Sequence, residues 1–243
     1  MAAALCTPDY SHCISDRNFR RNVYEPEADT FLFLEALDRE RDFISALSPL
    51  CCIEIGCGNG VVITHLATLL KLQSNAIVST FHAVDVNRVA LEATALTWMK
   101  TMPGATAHFT AATDGRTDAP RLLLHHGDLF STLPASQRFD VILFNPPYVP
   151  TSAEEFENAI TSEDIISRAW CGGPLGRVVI DLFIRDLPSR LSPRGVCYIV
   201  VIRENDVEDL IGLVKRSFGQ RVVQVTTVAR RFTGEHLAVL KIC

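Results

Sequence analysis

No apolar run in these 243 residues approaches the ~18 needed to cross a membrane as a helix. The longest strong run covers only 196–202. Basic tracts are missing too: Arg20-Arg21, Lys215-Arg216 and Arg230-Arg231 are isolated pairs. The 23 Lys+Arg against 28 Asp+Glu leave a formal charge of -5, which excludes a protein that grips duplex nucleic acid mainly by its phosphates. The first residues have no basic n-region, so no secretory leader is expected. None of the eight cysteines (Cys6, Cys13, Cys51, Cys52, Cys57, Cys171, Cys197, Cys243) forms a C-x-x-C, and no cysteine pair sits near a closely spaced histidine pair. No bound metal is expected. Repeats and low-complexity tracts are absent.

What is present is a large apolar share. At 48% hydrophobic the chain is too apolar for disorder, and its length buries a core without disulfide or metal staples. Cys51, Cys52 and Cys197 sit inside apolar runs, where a reduced thiol packs as a small hydrophobe. Such thiols suit a reducing compartment, so the cytoplasm is expected, with the nucleus as an alternative.

Apolar runs and polar breaks alternate along the chain, which reads as strands alternating with helices, hence a parallel sheet covered on both faces. Strands are expected over 51–55, 77–84, 121–126, 140–144 and 196–202, and a short one over 106–112. Helices are expected over 28–37, 61–72, 89–99, 178–187 and 207–218. Two last strands, 221–228 and 236–242, would form a hairpin around Thr233-Gly234-Glu235. Asp114-Gly115-Arg116-Thr117-Asp118 reads as an exposed loop within an irregular 101–120 stretch. Residues 1–22 are expected as a polar tail and 23–243 as one domain.

Chemistry concentrates where strands end. Glu54-Ile55-Gly56-Cys57-Gly58-Asn59-Gly60 follows the first strand, and its glycines let the backbone turn tightly and approach a ligand, with helix amides aimed at it. The spacing is G-x-G-x-G, not the G-x-G-x-x-G of dinucleotide sites. Asp85 ends the second strand, where a carboxylate can accept both ribose hydroxyls of a nucleoside. Asp128-Leu129 follows the next long strand and could receive an exocyclic amine, with Leu129 against the ring. Asn145-Pro146-Pro147-Tyr148 follows the strand after that. Its prolines lack donors and fix φ, and Pro146 forces Asn145 into an extended conformation. The resulting elbow offers an amide oxygen and a carbonyl to a planar NH2 group, and Tyr148 offers a ring face. Holding those hydrogens draws charge onto a nitrogen whose lone pair is delocalised, which assists bond formation without a strong base.

These residues resemble the class I S-adenosylmethionine-dependent methyltransferases that modify amino nitrogens. Val23-Tyr24-Glu25-Pro26-Glu27-Ala28-Asp29-Thr30-Phe31 is similar to the V-Y-E-P-x-x-D-T-F segment of eukaryotic and archaeal HemK-type glutamine methyltransferases. So are Ala169-Trp170-Cys171-Gly172-Gly173, Gly176-Arg177, the Leu191-Ser192-Pro193-Arg194-Gly195 turn and Glu204-Asn205. The resemblance implies a doubly wound, Rossmann-like α/β fold with a seven-stranded, mostly parallel sheet and a C-terminal antiparallel hairpin. It implies S-adenosylmethionine as cofactor, and as substrate the glutamine in the Gly-Gly-Gln loop of a class 1 translation termination (release) factor. It also implies a heterodimer with a small zinc-binding activator subunit. Carried over, Thr30, Glu54, Gly56, Gly58, Asp85, Asp128, Leu129 and Asn145 would contact the cofactor, with Tyr24 and Pro26 closing the pocket. Asn145 and Pro146 would hold the glutamine amide, beside Tyr148. The 101–120 stretch is longer than this family leads one to expect, and lies where its activator docks. Asp29, with Glu25 and Glu27, also reads as charge placed toward a helix dipole.

Three rival readings use the same residues. An adenine N6-methyltransferase acting on DNA or RNA would need extra recognition surface, for which the chain has no separate domain. A protein lysine methyltransferase would need to deprotonate an ammonium first. A non-catalytic cofactor-binding scaffold would be expected to have lost one of the motifs.

Overall fold

The computed structural model describes residues 7–73, 79–109, 120–162 and 164–243. Its strands are β1 (Cys51–Ile55), β2 (Thr80–Asp85), β3 (Thr106–His108), β4 (Arg121–His126), β5 (Phe139–Phe144), β6 (Leu191–Ile202), β7 (Val225–Phe232) and β8 (His236–Ile242). Among the described residues these form one eight-stranded sheet in the order β3-β4-β2-β1-β5-β6-β8-β7. All neighbours run parallel except at β8, which is antiparallel to both β6 and β7. The expected seven strands and hairpin are there, with the short β3 as an eighth at the edge.

The centre of the sheet is buried on both faces, which explains its unbroken apolar runs: Val196 to Val201 of β6 are fully buried, as are Val141, Ile142 and Leu143 of β5. The chain leaves β1 toward β2 on one side and returns to β5 on the other. That reversal opens a crevice at the carboxyl ends of β1 and β5, the usual ligand position in such sheets.

The helices are α1 (Ser11–Ser15), α2 (Arg17–Asn22), α3 (Ala28–Arg39), α4 (Arg41–Leu47), α5 (Val61–Gln73), α6 (Arg88–Thr101), α7 (Ala153–Thr161), α8 (Val178–Arg190) and α9 (Val207–Ser217). Among the described residues no helix is long and apolar enough to cross a membrane.

Several elements differ from the sequence reading. Residues 11–22 form α1 and α2 rather than a polar tail. Cys13, Val23, Ala90 and Ala93 make a small apolar cluster with Tyr10 and Phe19 against it, and the buried His12 Nε2 is 2.9 Å from Ala93 O. Asp16 caps α2 by accepting from Asn18 N at 2.7 Å. Strand β7 lies C-terminal to the expected 221–228. The turn sets its register: Gly234 has φ +95°, Thr233 N donates to Glu235 O at 3.2 Å, and Phe232 pairs with His236. Arg221 instead donates to Ser192 O and Pro193 O, each at 3.0 Å. Helix α8 runs through Pro188 to Arg190. Of the irregular stretch, Thr106–His108 is a strand, while the 114–118 loop lies outside the described residues.

Candidate active site

The glycine turn lies between β1 and α5. Gly60 has φ +75°, and a Cβ there would stand 2.7 Å from Thr94 Cα on α6. Only glycine lets those backbones meet. Asp85, at the end of β2, faces this turn. One carboxylate oxygen accepts from Gly58 N at 2.9 Å and the other from Asn87 N at 2.8 Å. Burial raises its pKa and these amide bonds oppose the rise. Glu54 is buried and accepts from Ile63 N at 2.9 Å. Burial pushes its carboxyl well above the ordinary range, with the amide bond opposing. Asn59 ties the turn to the segment before α3 by donating to Tyr24 O at 3.0 Å.

Asn145 follows β5 directly. Its Nδ2 donates to Asp29 Oδ2 at 2.9 Å, and Tyr148 OH donates to the same oxygen at 3.2 Å. A carboxylate only accepts, so the Asn145 amide nitrogen must point at Asp29 and its Oδ1 must point away. That Oδ1 is buried and has no protein partner. Burial pushes the Tyr148 hydroxyl above its ordinary range, and the nearby Asp29 charge adds to the shift. The tyrosine is therefore anchored through its hydroxyl, a role its expected ring face does not describe.

Behind this elbow the later motifs converge. Asn205 is fully buried and donates to Tyr148 O at 2.9 Å and Leu175 O at 2.8 Å. Its own Oδ1 accepts from Ile202 N at 2.8 Å. Gly176, with φ +66°, passes so close that a Cβ would lie 1.9 Å from Tyr148 O. Val149 forms a bridge with Cys171, and Gly172 N donates to Val149 O at 2.9 Å. The glycine-rich 169–177 segment thus forms the back wall of the elbow.

These elements enclose a cavity of about 270 Å³. Every residue expected to bind cofactor or substrate lines it, except Pro26. Pro26 is buried beside it, just before the cap of α3, where its fixed φ sets the direction of entry into the helix. Asp128 is exposed at the rim, and Leu129 holds φ +46°, a left-handed conformation that costs a β-carbon residue about 1 kcal/mol or more. Sequence reasoning missed Asp29 as a site residue, although its motif was noticed. It also missed the far wall, where Phe156 and Ile160 of α7 stand with Ile166 and Trp170. Ser152 and Glu155 form a capping box at the start of α7, a signal readable in the sequence.

The arrangement fits a nucleoside-bearing cofactor. The crevice sits at the strand reversal, Asp85 keeps acceptor capacity beyond its two amide bonds, and a Cβ at Gly58 would meet nothing within 4 Å. Beside it, a buried amide oxygen waits for a donor. No protein-family profile matches the chain. It is 34% identical to human "Methyltransferase HEMK2" across 98% of this chain and 96% of that protein. It is 28% identical to the Schizosaccharomyces pombe "eRF1 methyltransferase catalytic subunit mtq2" over 91% and 89%. Among solved structures, the E. cuniculi Mtq2–Trm112 complex responsible for methylation of the eRF1 translation termination factor superposes with a TM-score of 0.56, at 23% identity over 91% of this chain and 98% of that one. At 34% identity to the human methyltransferase over nearly the whole of both chains, the chain belongs to the HemK-type methyltransferase family.

Proposed function

We propose that the chain methylates the side-chain amide nitrogen of the glutamine in the Gly-Gly-Gln loop of a class 1 translation termination factor. It does so as the catalytic subunit of a heterodimer with a small zinc-binding activator, in the cytoplasm. The names of the fission-yeast and E. cuniculi relatives support the substrate, and the E. cuniculi complex supports a partner subunit. The observation that carries the reading is the Asn145 amide, fixed at its nitrogen and unpartnered at its buried oxygen, on a residue that lines the cavity.

Glu54, Asp85, Asp128 and the Gly56–Gly58 backbone would hold S-adenosylmethionine. When bound, it supplies a methyl carbon that accepts the nitrogen lone pair as its bond to sulfur breaks. Asn145 Oδ1 would accept an N–H of the glutamine amide and so orient its nitrogen, the positioning on which a near-attack geometry depends. As the bond forms, positive charge grows on nitrogen, and Asn145 Oδ1 stabilises it more strongly than in the neutral amide. Nitrogen then sheds one proton to solvent, leaving a neutral N-methyl amide. Tyr148 and Pro146 keep the elbow rigid, and Phe156, Ile160 and Trp170 line the acceptor side, where Ile160 and Trp170 stay in reach of solvent. Calorimetry of cofactor binding to the chain with and without activator tests the first half of this reading. Binding in neither condition would contradict it.

A further inference from the structure

Asp29 sits in the first turn of α3 and is 3% exposed, and both of its carboxylate oxygens accept hydrogen bonds. Oδ1 accepts from Thr30 N at 2.7 Å, one of the helix-start amides that lacks an intrahelical partner. Oδ2 accepts from both Asn145 Nδ2 and Tyr148 OH. Thus α3 supplies one carboxylate that joins a helix start to two residues of the elbow, more than a hundred positions away in sequence. We propose that Asp29 is the positioning residue of the reaction: by accepting the Asn145 nitrogen, it fixes the amide's orientation and commits Oδ1 to the acceptor. This rests on the function proposed above.

The alternative is that Asp29 only serves the helix dipole. That role needs a negative charge near the α3 start, but not a bond to Asn145. An unrestrained asparagine amide can present either end, and with NH2 toward the substrate it would repel the hydrogens it should receive. The carboxylate removes that choice.

Asp29→Asn puts the distinction to the test. The short bond from Thr30 N retains the new amide's oxygen, so its NH2 faces Asn145. Asn145 must then turn its oxygen inward and its NH2 toward the cavity. The exchange Asp29→Asn with Asn145→Asp restores the pattern: the amide at 29 donates to the carboxylate at 145, whose second oxygen faces the cavity as an acceptor.

The experiment uses the full chain with its activator, and the termination factor as acceptor. Asp29→Asn is expected to lower kcat about 100-fold, the scale of a misplaced transition-state partner, with the cofactor Kd within threefold by calorimetry. The exchange variant should recover at least tenfold over Asp29→Asn. A readout independent of turnover is the Asn145 side-chain NH2 resonance in the cofactor-free chain, assigned by its loss in Asn145→Ala. It should be deshielded and protected from exchange in the wild type, and lose both features in Asp29→Asn. A kcat within threefold of wild type, a parallel loss of cofactor binding, an exchange variant no better than Asp29→Asn, or an unchanged NH2 resonance would overturn the inference. A wild-type chain inactive on the termination factor would count against the proposed function instead, and the resonance would still decide the role of Asp29.

Discussion

Asn145 and Asp85 divide the work of the site between them, one facing the acceptor and the other the cofactor. Replacing Asn145 by Ala removes the acceptor oxygen and leaves the glycine turn intact. Turnover should fall at least 100-fold to 1,000-fold, the range for deleting one preorganised transition-state partner, while calorimetry finds the cofactor Kd within a few-fold. Near-wild-type methylation by that variant would contradict the assignment. Asp85→Ala should do the reverse. Losing a charged acceptor costs about 1.5–3 kcal/mol, so the cofactor Kd should weaken roughly 10-fold to 100-fold, and an unchanged Kd would count against its role. Both residues are legible because each sits at a strand end, Asn145 followed by two prolines and Asp85 closing the strand after the glycine turn. Asp29 is not, because its partners Asn145 and Tyr148 come from a distant strand end. From α3 alone it looks like a helix-dipole charge. Pro26 belongs to the same motif and stands just before the α3 cap, outside the residues that line the cavity.

At the scale of elements, the elbow after β5 depends on the segment that backs it. Asn205→Ala would leave Ile202 N, Tyr148 O and Leu175 O without their buried partner, at about 1–3 kcal/mol for each group left unsatisfied. Its melting temperature should drop by several degrees or more, with activity lost alongside. Gly176→Ala should be as damaging, since its Cβ would overlap Tyr148 O and its φ is left-handed. By contrast Ser152→Ala, which removes only the exposed cap of α7, should cost about 1 kcal/mol. An Asn205→Ala protein as stable as Ser152→Ala would contradict this ranking. The buried strands were readable from their continuous apolar runs, and β1, β4 and β5 appear within a residue of expectation. The edge strand β7 was not. Its residues alternate poorly, a bulge falls between Thr227 and Ala229, and its place follows from the turn with β8. Helices α1, α2 and α4 are too short for periodicity to reveal. Their packing becomes clear only once α6 and the sheet are in position.

Across the whole molecule, burial makes stability depend on pH. His82 on β2 stacks on His125 of β4 and meets Phe139 of β5 edge-on, with Nδ1 3.0 Å from His125 Nε2, and burial, then the His125 charge, push its pKa from 6.5 down to about 4. A group whose folded pKa is depressed favours the folded state when it is neutral. Its contribution, up to about 3 kcal/mol, is therefore present above pH ~6.5 and lost as the pH falls toward 4. Urea unfolding between pH 7 and 4.5 should show this loss in the wild type and a shallower one in His82→Gln; identical slopes would contradict it. The buried free thiols Cys52, Cys57 and Cys197 pack into the core as small hydrophobes. The most direct measurement is mass spectrometry of a termination factor incubated with S-adenosylmethionine and the chain, with and without activator. A single methyl group on the Gly-Gly-Gln glutamine side chain is predicted, absent with Asn145→Ala. An unmodified glutamine in both conditions, or an equal signal from the Asn145→Ala chain, would contradict it.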